Sequence, residues 1–123
     1  MSHDDAMRIR REVLGDDHVD SAVAGTTDDT ADFQDLITRY AWGEIWARPG
    51  LDRRTRSAIT LMALVALNRE GELRMHISAA LRNGLTREEI KEVLLQSAIY
   101  CGVPAANGAF AVFREVMAEH DGS

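Results

Sequence analysis

Residues 72–110 read ELRMHISAALRNGLTREEIKEVLLQSAIYCGVPAANGAF and carry the clearest helix signals of the chain. The pair Asn83-Gly84 within this segment is typical of a left-handed cap at the C-terminus of a helix. Thr86 stands three residues before Glu89, which is the spacing of a capping box at the N-terminus of a helix. The segment therefore predicts one helix that ends at the Asn-Gly pair and a second that begins after Thr86.

The neighbouring segments show helical spacing too. Gly102 is predicted to end the second helix, and Pro104 suits the first turn of another one. Upstream, a helix is predicted to start after Thr30 or Asp32, because apolar residues recur at helical spacing from there on. It must stop before Pro49, since the residue that precedes a proline avoids the α region.

The middle of the chain predicts a central helix. Asp52 is a good N-cap for the segment SAITLMALVALN, residues 57–68, which is apolar on nearly every side. Gly71 is predicted to separate this helix from the next. At the N-terminus, residues 3–15 predict a short charged helix, and residues 16–31 are polar and rich in turn formers, which predicts a connecting arm.

No segment shows the sustained alternation of a β-strand, so the predicted fold class is all-α. We expect a single-domain bundle of about six helices, counted from the helical periodicity and its breaks. The domain spans residues 1–123, with an N-terminal arm at residues 1–31 and a helical core at residues 32–120.

Composition and charge narrow the function classes. The net charge is −6, which disfavours nucleic acids and anionic membranes as partners because a negative surface repels both. Cys101 is the single cysteine, so no disulfide can form within the chain and a reducing compartment is expected. The N-terminus lacks the apolar core of a signal peptide, and the apolar run at residues 58–67 is too short to span a bilayer. We expect a cytoplasmic protein.

Two long strings resemble the carboxymuconolactone decarboxylase family. They are WGEIWARPGLDRRTRS at residues 42–57 and the segment 72–110 quoted above, and RREVLGDDHVD at residues 10–20 also fits. The wider superfamily includes alkylhydroperoxidase-D-like proteins, whose redox members place a Cys-x-x-Cys pair just upstream of the histidine that matches His76. The corresponding positions here are Arg69 and Glu72. Because a disulfide-cycling peroxidase needs two thiols, the absence of cysteine at both positions disfavours that activity.

The resemblance implies an alkylhydroperoxidase-D-like helical fold and a carboxy-lyase activity. The implied reaction is the decarboxylation of 4-carboxymuconolactone to 3-oxoadipate enol-lactone in the β-ketoadipate pathway of protocatechuate and aromatic-acid catabolism. It implies no cofactor and no metal, a small lactone dicarboxylate as substrate, and a homo-oligomer, either a trimer or a hexamer. Two alternatives stay open: a thiol peroxidase of the same superfamily, and a non-catalytic helical oligomer.

Two residues of the matched segment suit acid–base chemistry on that substrate. His76 has an ordinary pKa of about 6.5, which suits proton transfer or oxyanion stabilisation near neutral pH. Glu72 precedes it by four residues and would share its helical face, where it can orient the imidazole or hold it protonated. Spacing alone equally allows an ordinary surface ion pair, and the resemblance favours the catalytic interpretation.

Four arginines form a cationic cluster around a predicted helix N-terminus, where backbone amides already favour anions: Arg48, Arg53, Arg54 and Arg56. Arginine binds carboxylates in a forked geometry, so the cluster predicts a grip on the dicarboxylate substrate. We expect substrate contacts from Arg48, Arg53 and Arg56, with the last two converging on one carboxylate. The alternative is a solvated turn or a contact between subunits.

The remaining candidates are weaker. Glu44 lies between Trp42 and Trp46, so a desolvated carboxyl there could act as an acid, and Trp46 would contact the substrate. Glu44 could equally pair with an arginine or face solvent. Tyr100 and Asn107 flank the GVPA turn and could donate hydrogen bonds to a lactone oxygen, although such groups often cap buried backbone. No two histidines have metal-ligand spacing, so no metal site is predicted.

Overall fold

A computed structural model gives the structure of the chain and describes residues 2–122. Over these residues it is all-helical, with no β-strand, as predicted. The elements are seven α-helices and one π-helix: α1 (His3–Leu14), α2 (Asp16–Ala24), α3 (Ala31–Ile37), the π-helix (Thr38–Trp46), α4 (Arg53–Ala66), α5 (Glu70–Arg82), α6 (Arg87–Tyr100) and α7 (Val103–Gly122). None of the described helices is long and apolar enough to cross a membrane.

The chain divides into two compact units, and the boundary lies between Arg53 and Arg54. In the first unit, α1 packs on the π-helix, α2 packs on α1, and α3 runs directly into the π-helix. Its small core joins Ile9 and Val13 of α1 to Trp42 of the π-helix.

The second unit has the larger core. Helix α7 packs against both α5 and α6, and side chains of α4 complete the interior. The buried residues of this core are Leu61, Val65, Leu73, Ile77, Ala80, Leu85, Ile90, Leu94, Ala109, Val112, Val116 and Met117. Because four helices meet around one apolar interior, the rotation of each helix is fixed by its buried face.

The predicted helix boundaries around residue 85 are confirmed. The side chain of Thr86 accepts a hydrogen bond from the backbone of Glu89, and the Glu89 carboxylate accepts one from the backbone of Thr86, which completes the capping box. Gly84 has a φ of +105°, a left-handed conformation that favours glycine. Pro104 lies in the first turn of α7, also as predicted.

Two predictions about local structure are wrong. Residues 16–24 form helix α2 instead of a connecting arm, because Val19 is fully buried and Asp16 and Asp17 sit favourably in the first turn. Gly71 lies inside α5, and the break before that helix falls at Asn68, whose φ is +57°. Asparagine tolerates this left-handed conformation better than most residues do.

The helix predicted after Thr30 has the expected limits but an unexpected form. It is α-helical only as far as Ile37 and continues as a nine-residue π-helix to Trp46. The apolar residues Phe33, Leu36 and Tyr40, whose spacing predicted the helix, are all exposed in the single chain.

Candidate active site

Helix α5 carries the predicted acid–base pair. Leu73 and Ile77 are buried in the core and fix the rotation of the helix. As a result His76 is half-buried at the edge of the core, and Glu72, one turn earlier on the same face, is exposed. The imidazole is therefore reachable by a ligand and is partly shielded from water. The structure confirms that the two residues share a helical face, and their catalytic role stays a prediction.

Arg54 holds helix α4 to the turn between α5 and α6. Its guanidinium donates hydrogen bonds to the backbone carbonyl of Gly84 and to both carboxylate oxygens of Glu89, one of them at 3.1 Å. Arg54, together with the backbone N–H of Thr86, lowers the pKa of Glu89 to about 2. Because its forked donor set is already engaged, Arg54 serves the fold, a role that the sequence did not indicate.

Three residues beyond Arg54, at Ser57, the structure shows a polar contact that the sequence did not indicate. Arg56 is half-buried, and the next residue, Ser57, is almost completely buried. The side-chain amide of Asn83 donates a hydrogen bond of 3.1 Å to the Ser57 hydroxyl. Nothing in the sequence around Ser57 indicates a partner for its hydroxyl, so the contact with Asn83 is seen only in the folded structure. It ties the α4 N-terminal turn to the end of α5.

The other predicted residues of the arginine segment belong to the first unit. Arg53 is the first residue of α4 and forms an ion pair with Glu12 of α1, with 3.0 Å between Nη2 and Oε1. Arg48 follows the π-helix and is exposed. The ion pair of Arg53 is partly exposed, so salt and a competing carboxylate can both weaken it.

The π-helix carries the two tryptophans of the chain. The ring centroids of Trp42 and Trp46 lie 5.4 Å apart with 36° between their planes, and Trp46 is half-buried. Glu44 is exposed between them. The burial on which its predicted role as an acid depended is therefore not seen in the single chain, and that role stays a prediction.

Asn107 and Tyr100 lie at opposite sides of the turn between α6 and α7. Tyr100 ends α6 and is 76% exposed. Asn107 is exposed on α7 and lines a cleft of about 750 Å³, together with Phe110, Phe113, Arg114, Met117 and Asp121 of α7 and Arg87 of α6. Asn107 thus faces a cleft, whereas Tyr100 is exposed at the end of α6.

The cleft combines an aromatic wall with positive charge. Phe110 and Phe113 meet edge to face with centroids 6.3 Å apart. Arg87 donates two hydrogen bonds to the Asp121 carboxylate, at 2.8 and 2.7 Å, and this carboxylate raises the pKa of Arg87. Arg114 forms no ion pair with any residue that the structure describes. Sequence reasoning missed both arginines, although the seven-residue spacing from Asn107 through Arg114 to Asp121 marks one helix face.

The described part of the chain contains neither a group of metal-ligating side chains nor a pair of cysteines. No group of three or more His, Cys, Asp or Glu residues there could hold a metal ion. Cys101 is half-buried, and its thiol lies 3.6 Å from the Met62 sulfur.

Known proteins match the chain over most of its length. Residues 31–115 match the carboxymuconolactone decarboxylase family. A 4-carboxymuconolactone decarboxylase of Acinetobacter baylyi is 48% identical over 111 residues, which are 90% of this chain and 83% of that protein. A nitrosuccinic acid decarboxylase of Metarhizium robertsii is 40% identical over 114 residues, 93% of this chain and 80% of that protein.

Proposed function

Because the chain belongs to the carboxymuconolactone decarboxylase family, we propose that it converts 4-carboxymuconolactone to 3-oxoadipate enol-lactone with release of CO2, without a cofactor. The observation that carries the proposal is the similarity, over nine-tenths of the chain, to a protein named for this decarboxylation. Such a reaction belongs to the breakdown of aromatic acids through protocatechuate and the β-ketoadipate pathway.

The substrate's own chemistry explains how decarboxylation can proceed without a cofactor. When the ring carboxylate leaves as CO2, its electron pair can flow through the ring double bond onto the lactone carbonyl. The lactone is thus the electron sink that a cofactor otherwise provides. The protein has three tasks: to orient the side-chain acetate, to stabilise negative charge on the lactone oxygen, and to deliver a proton to ring carbon.

The two carboxylates of the substrate should be treated differently. A strong ion pair to the departing carboxylate would stabilise the ground state and raise the barrier, whereas the acetate is unchanged in the transition state. The cations therefore belong on the acetate. Of the predicted arginines we propose Arg53 and Arg56 for this contact, with Arg48 at the edge, because Arg54 is engaged with Glu89.

We assign the proton transfer to His76, with Glu72 tuning the imidazole. A half-buried imidazole on a helix held by two core residues is both accessible and fixed in direction, as a general acid requires. Glu44, Trp46, Tyr100 and Asn107 complete the proposed set, Glu44 as a further acid and the other three as substrate contacts.

The first experiment follows 4-carboxymuconolactone to its enol-lactone with purified protein, measuring CO2 release. We expect His76→Gln to lower kcat by about 10²-fold or more, the scale of a lost acid–base group. Glu72→Gln should lower kcat less and shift the pH profile. His120→Gln, near the C-terminus, is the matched control and should retain the wild-type rate. A folded His76→Gln protein with near-normal kcat would remove His76 from the mechanism.

A second experiment distinguishes the arginines proposed to bind substrate from Arg54, which holds the fold. Arg53→Ala and Arg56→Ala should each weaken substrate binding by about 1.5–3 kcal/mol, typical of a hydrogen bond to a charged group, with kcat nearly unchanged. Arg54→Ala is the matched control: it should lower Tm and leave KM in place, because its donors hold Gly84 and Glu89. A collapse of kcat in Arg53→Ala or Arg56→Ala would mean that the arginine stabilises the oxyanion instead.

Assays on the same purified protein distinguish the decarboxylase from two alternative functions. A thiol peroxidase would consume peroxide in the presence of a thiol reductant, although Arg69 and Glu72 occupy the positions of its cysteines. A non-catalytic helical oligomer would show neither activity. The relative named for nitrosuccinic acid supplies a further substrate for comparison: faster turnover of nitrosuccinate than of the lactone would move the proposal to that substrate.

The proposal extends to the assembly and its setting. We propose an alkylhydroperoxidase-D-like fold, a homo-oligomer (trimer or hexamer) and a cytoplasmic location, with neither nucleic acid nor membrane as a partner. The support for an oligomer is the number of large apolar side chains that the single chain leaves exposed, among them Phe33, Tyr40, Ile59, Leu67, Ile99, Tyr100 and Val103. Sedimentation that shows a stable monomer at micromolar concentration would contradict it.

A further inference from the structure

Arg10 of α1 is a buried cation that forms no ion pair with a carboxylate of residues 2–122. It is 4% exposed, and its two terminal nitrogens donate hydrogen bonds of 3.2 Å to the Thr38 hydroxyl and to the side-chain carbonyl of Gln34. Both acceptors are neutral, and the buried Nε has no hydrogen-bond partner among the residues that the structure describes. Burial, with Arg11 alongside, lowers the pKa of Arg10. A buried charge is normally paired with an opposite charge, so an ion pair does not explain why Arg10 is buried here.

The neighbouring arginines of α1 show the ordinary arrangement. Arg11 is paired with the carboxylates of Asp16 and Asp20, at 3.1 and 2.8 Å. Arg8 is exposed beside Asp5. Carboxylates are therefore available around this helix, yet Arg10 is directed at two uncharged oxygens 24 and 28 residues further along the chain.

Those two oxygens lie where α3 changes into the π-helix. The backbone N–H of Thr38, the first π-helical residue, donates to the carbonyls of Gln34 and Asp35, and the Thr38 hydroxyl donates to the Gln34 carbonyl at 2.8 Å. The hydroxyl has thus used its one hydrogen, and its lone pair accepts from Arg10. The guanidinium spans one helical turn across the point at which the helix widens.

A π-helix of this length needs support from outside. Such helices are rare and mostly occupy a single turn, frequently at functional sites, whereas this one has nine residues. Helix α1 supplies the support along its length: Ile9 and Val13 pack on Trp42, and a Cβ atom at Gly43 would lie only 3.2 Å from Cβ of Ala6. Arg10 adds the polar contact at the start of the π-helix.

We propose that Arg10 is a positioning residue, which fixes the junction between α3 and the π-helix and so sets the orientation of Trp46 and Glu44. The effect on the junction follows from the contacts of the first unit alone. The effect on catalysis rests on the proposed function, in which Trp46 and Glu44 belong to the site.

The only two tryptophans of the chain are a built-in probe of this role. Because the rings of Trp42 and Trp46 are close and tilted, we expect an exciton couplet in circular dichroism that depends on their mutual orientation. Thr38→Val replaces the hydroxyl by a methyl group of similar size. This variant and Arg10→Met should both alter the couplet and the tryptophan emission. Thr38→Ser keeps the hydroxyl and should retain both signals.

Two further variants separate positioning from general stability. Arg8→Met removes an exposed arginine of the same helix and should change neither the couplet nor the activity. Gln34→Glu gives the Arg10 guanidinium a carboxylate, so it should keep the couplet and raise Tm. The kinetic expectation is that Arg10→Met and Thr38→Val lower kcat/KM by about tenfold, since ångström-scale misplacement of a contact residue is costly.

The outcomes distinguish this proposal from the proposed function. If Arg10→Met and Thr38→Val lower Tm but keep the wild-type couplet and kcat/KM, Arg10 has a merely structural role and the proposal is overturned. If the wild-type protein does not decarboxylate the lactone, the proposed function fails, and the couplet still decides whether Arg10 and Thr38 fix the junction.

Discussion

Replacing Ile77 by alanine is the sharpest test of the packing that holds His76 in place. Ile77 follows His76 on α5, has no exposed surface, and lies in the core of the second unit with Leu73 and Leu94. The substitution removes three carbon atoms from a site without contact to solvent. Because α5 packs on α7 through this region, neighbouring side chains can fill the space only in part.

The expected cost follows from burial. Each buried methylene contributes about 0.8 kcal/mol, so the lost transfer energy is about 2.4 kcal/mol. The incompletely filled cavity adds to this, which brings the total to about 3–4 kcal/mol, inside the range of about 2–5 kcal/mol for such substitutions. With a urea dependence of about 1–3 kcal/mol per molar, the unfolding midpoint should fall by about 1 M or more.

Urea unfolding followed by far-UV circular dichroism measures the difference, and Ile99→Ala is the matched control. The same atoms are removed from Ile99, which is 78% exposed in the single chain. In dilute protein, Ile99→Ala should change the free energy of unfolding by less than about 0.5 kcal/mol. A loss below about 1 kcal/mol for Ile77→Ala would refute the reasoning, because burial would then not decide the cost. A midpoint that depends on protein concentration and is sensitive to Ile99→Ala would report the proposed oligomer.

Two further predictions concern the turn between α5 and α6 and its neighbours. Gly84→Ala should destabilise the protein by about 1–2 kcal/mol, since its φ is +105° and the new Cβ would lie 3.2 Å from Cγ of Arg54. Gly71→Ala is the control: its Cβ meets nothing within 4 Å inside α5, so Tm should stay or rise. The pKa of Glu89 is lowered from 4.5 to about 2, so its ionised form stabilises the fold above pH 4.5 and this contribution is lost as the pH falls toward 2. The difference in Tm between the wild type and Glu89→Gln should therefore be constant near neutral pH and shrink over that acidic range; a constant difference down to pH 2 would contradict the ion pair with Arg54.

The sequence correctly predicts those parts of the fold that depend on interactions between residues close together in the chain. The capping box of Thr86 and Glu89 satisfies backbone donors three residues apart, so the pattern and the structure coincide. Gly84 likewise reports a backbone conformation that other residues adopt at a cost. The shared helical face of Glu72 and His76 follows from spacing once the helix is known.

The parts that the sequence does not predict depend on distant contacts. Helix α2 begins with turn-forming acidic residues, and what stabilises it is the burial of Val19 in the packing of α2 on α1. The π-helix keeps the apolar spacing of an α-helix in its sequence, so periodicity cannot distinguish the two forms over nine residues. Spacing pairs Arg53 with Arg56, but the role of Arg54 in holding the fold depends on its contact with Glu89, 35 residues further along the chain.

In the first unit, helix α1 supplies the distant contacts that the sequence did not predict. One side chain of the helix, Arg10, bonds to Gln34 and Thr38 at the start of the π-helix, and another, Glu12, pairs with Arg53 at the start of α4. All three partners lie more than 20 residues away along the chain, so no local pattern could have assigned α1 this role. The segment that the sequence describes as an N-terminal arm thus contacts both parts of the unit that carry proposed site residues. A site is precise only when packing and hydrogen bonds hold its side chains in place, and in the first unit the charged helix α1 does this for the residues nearest to it.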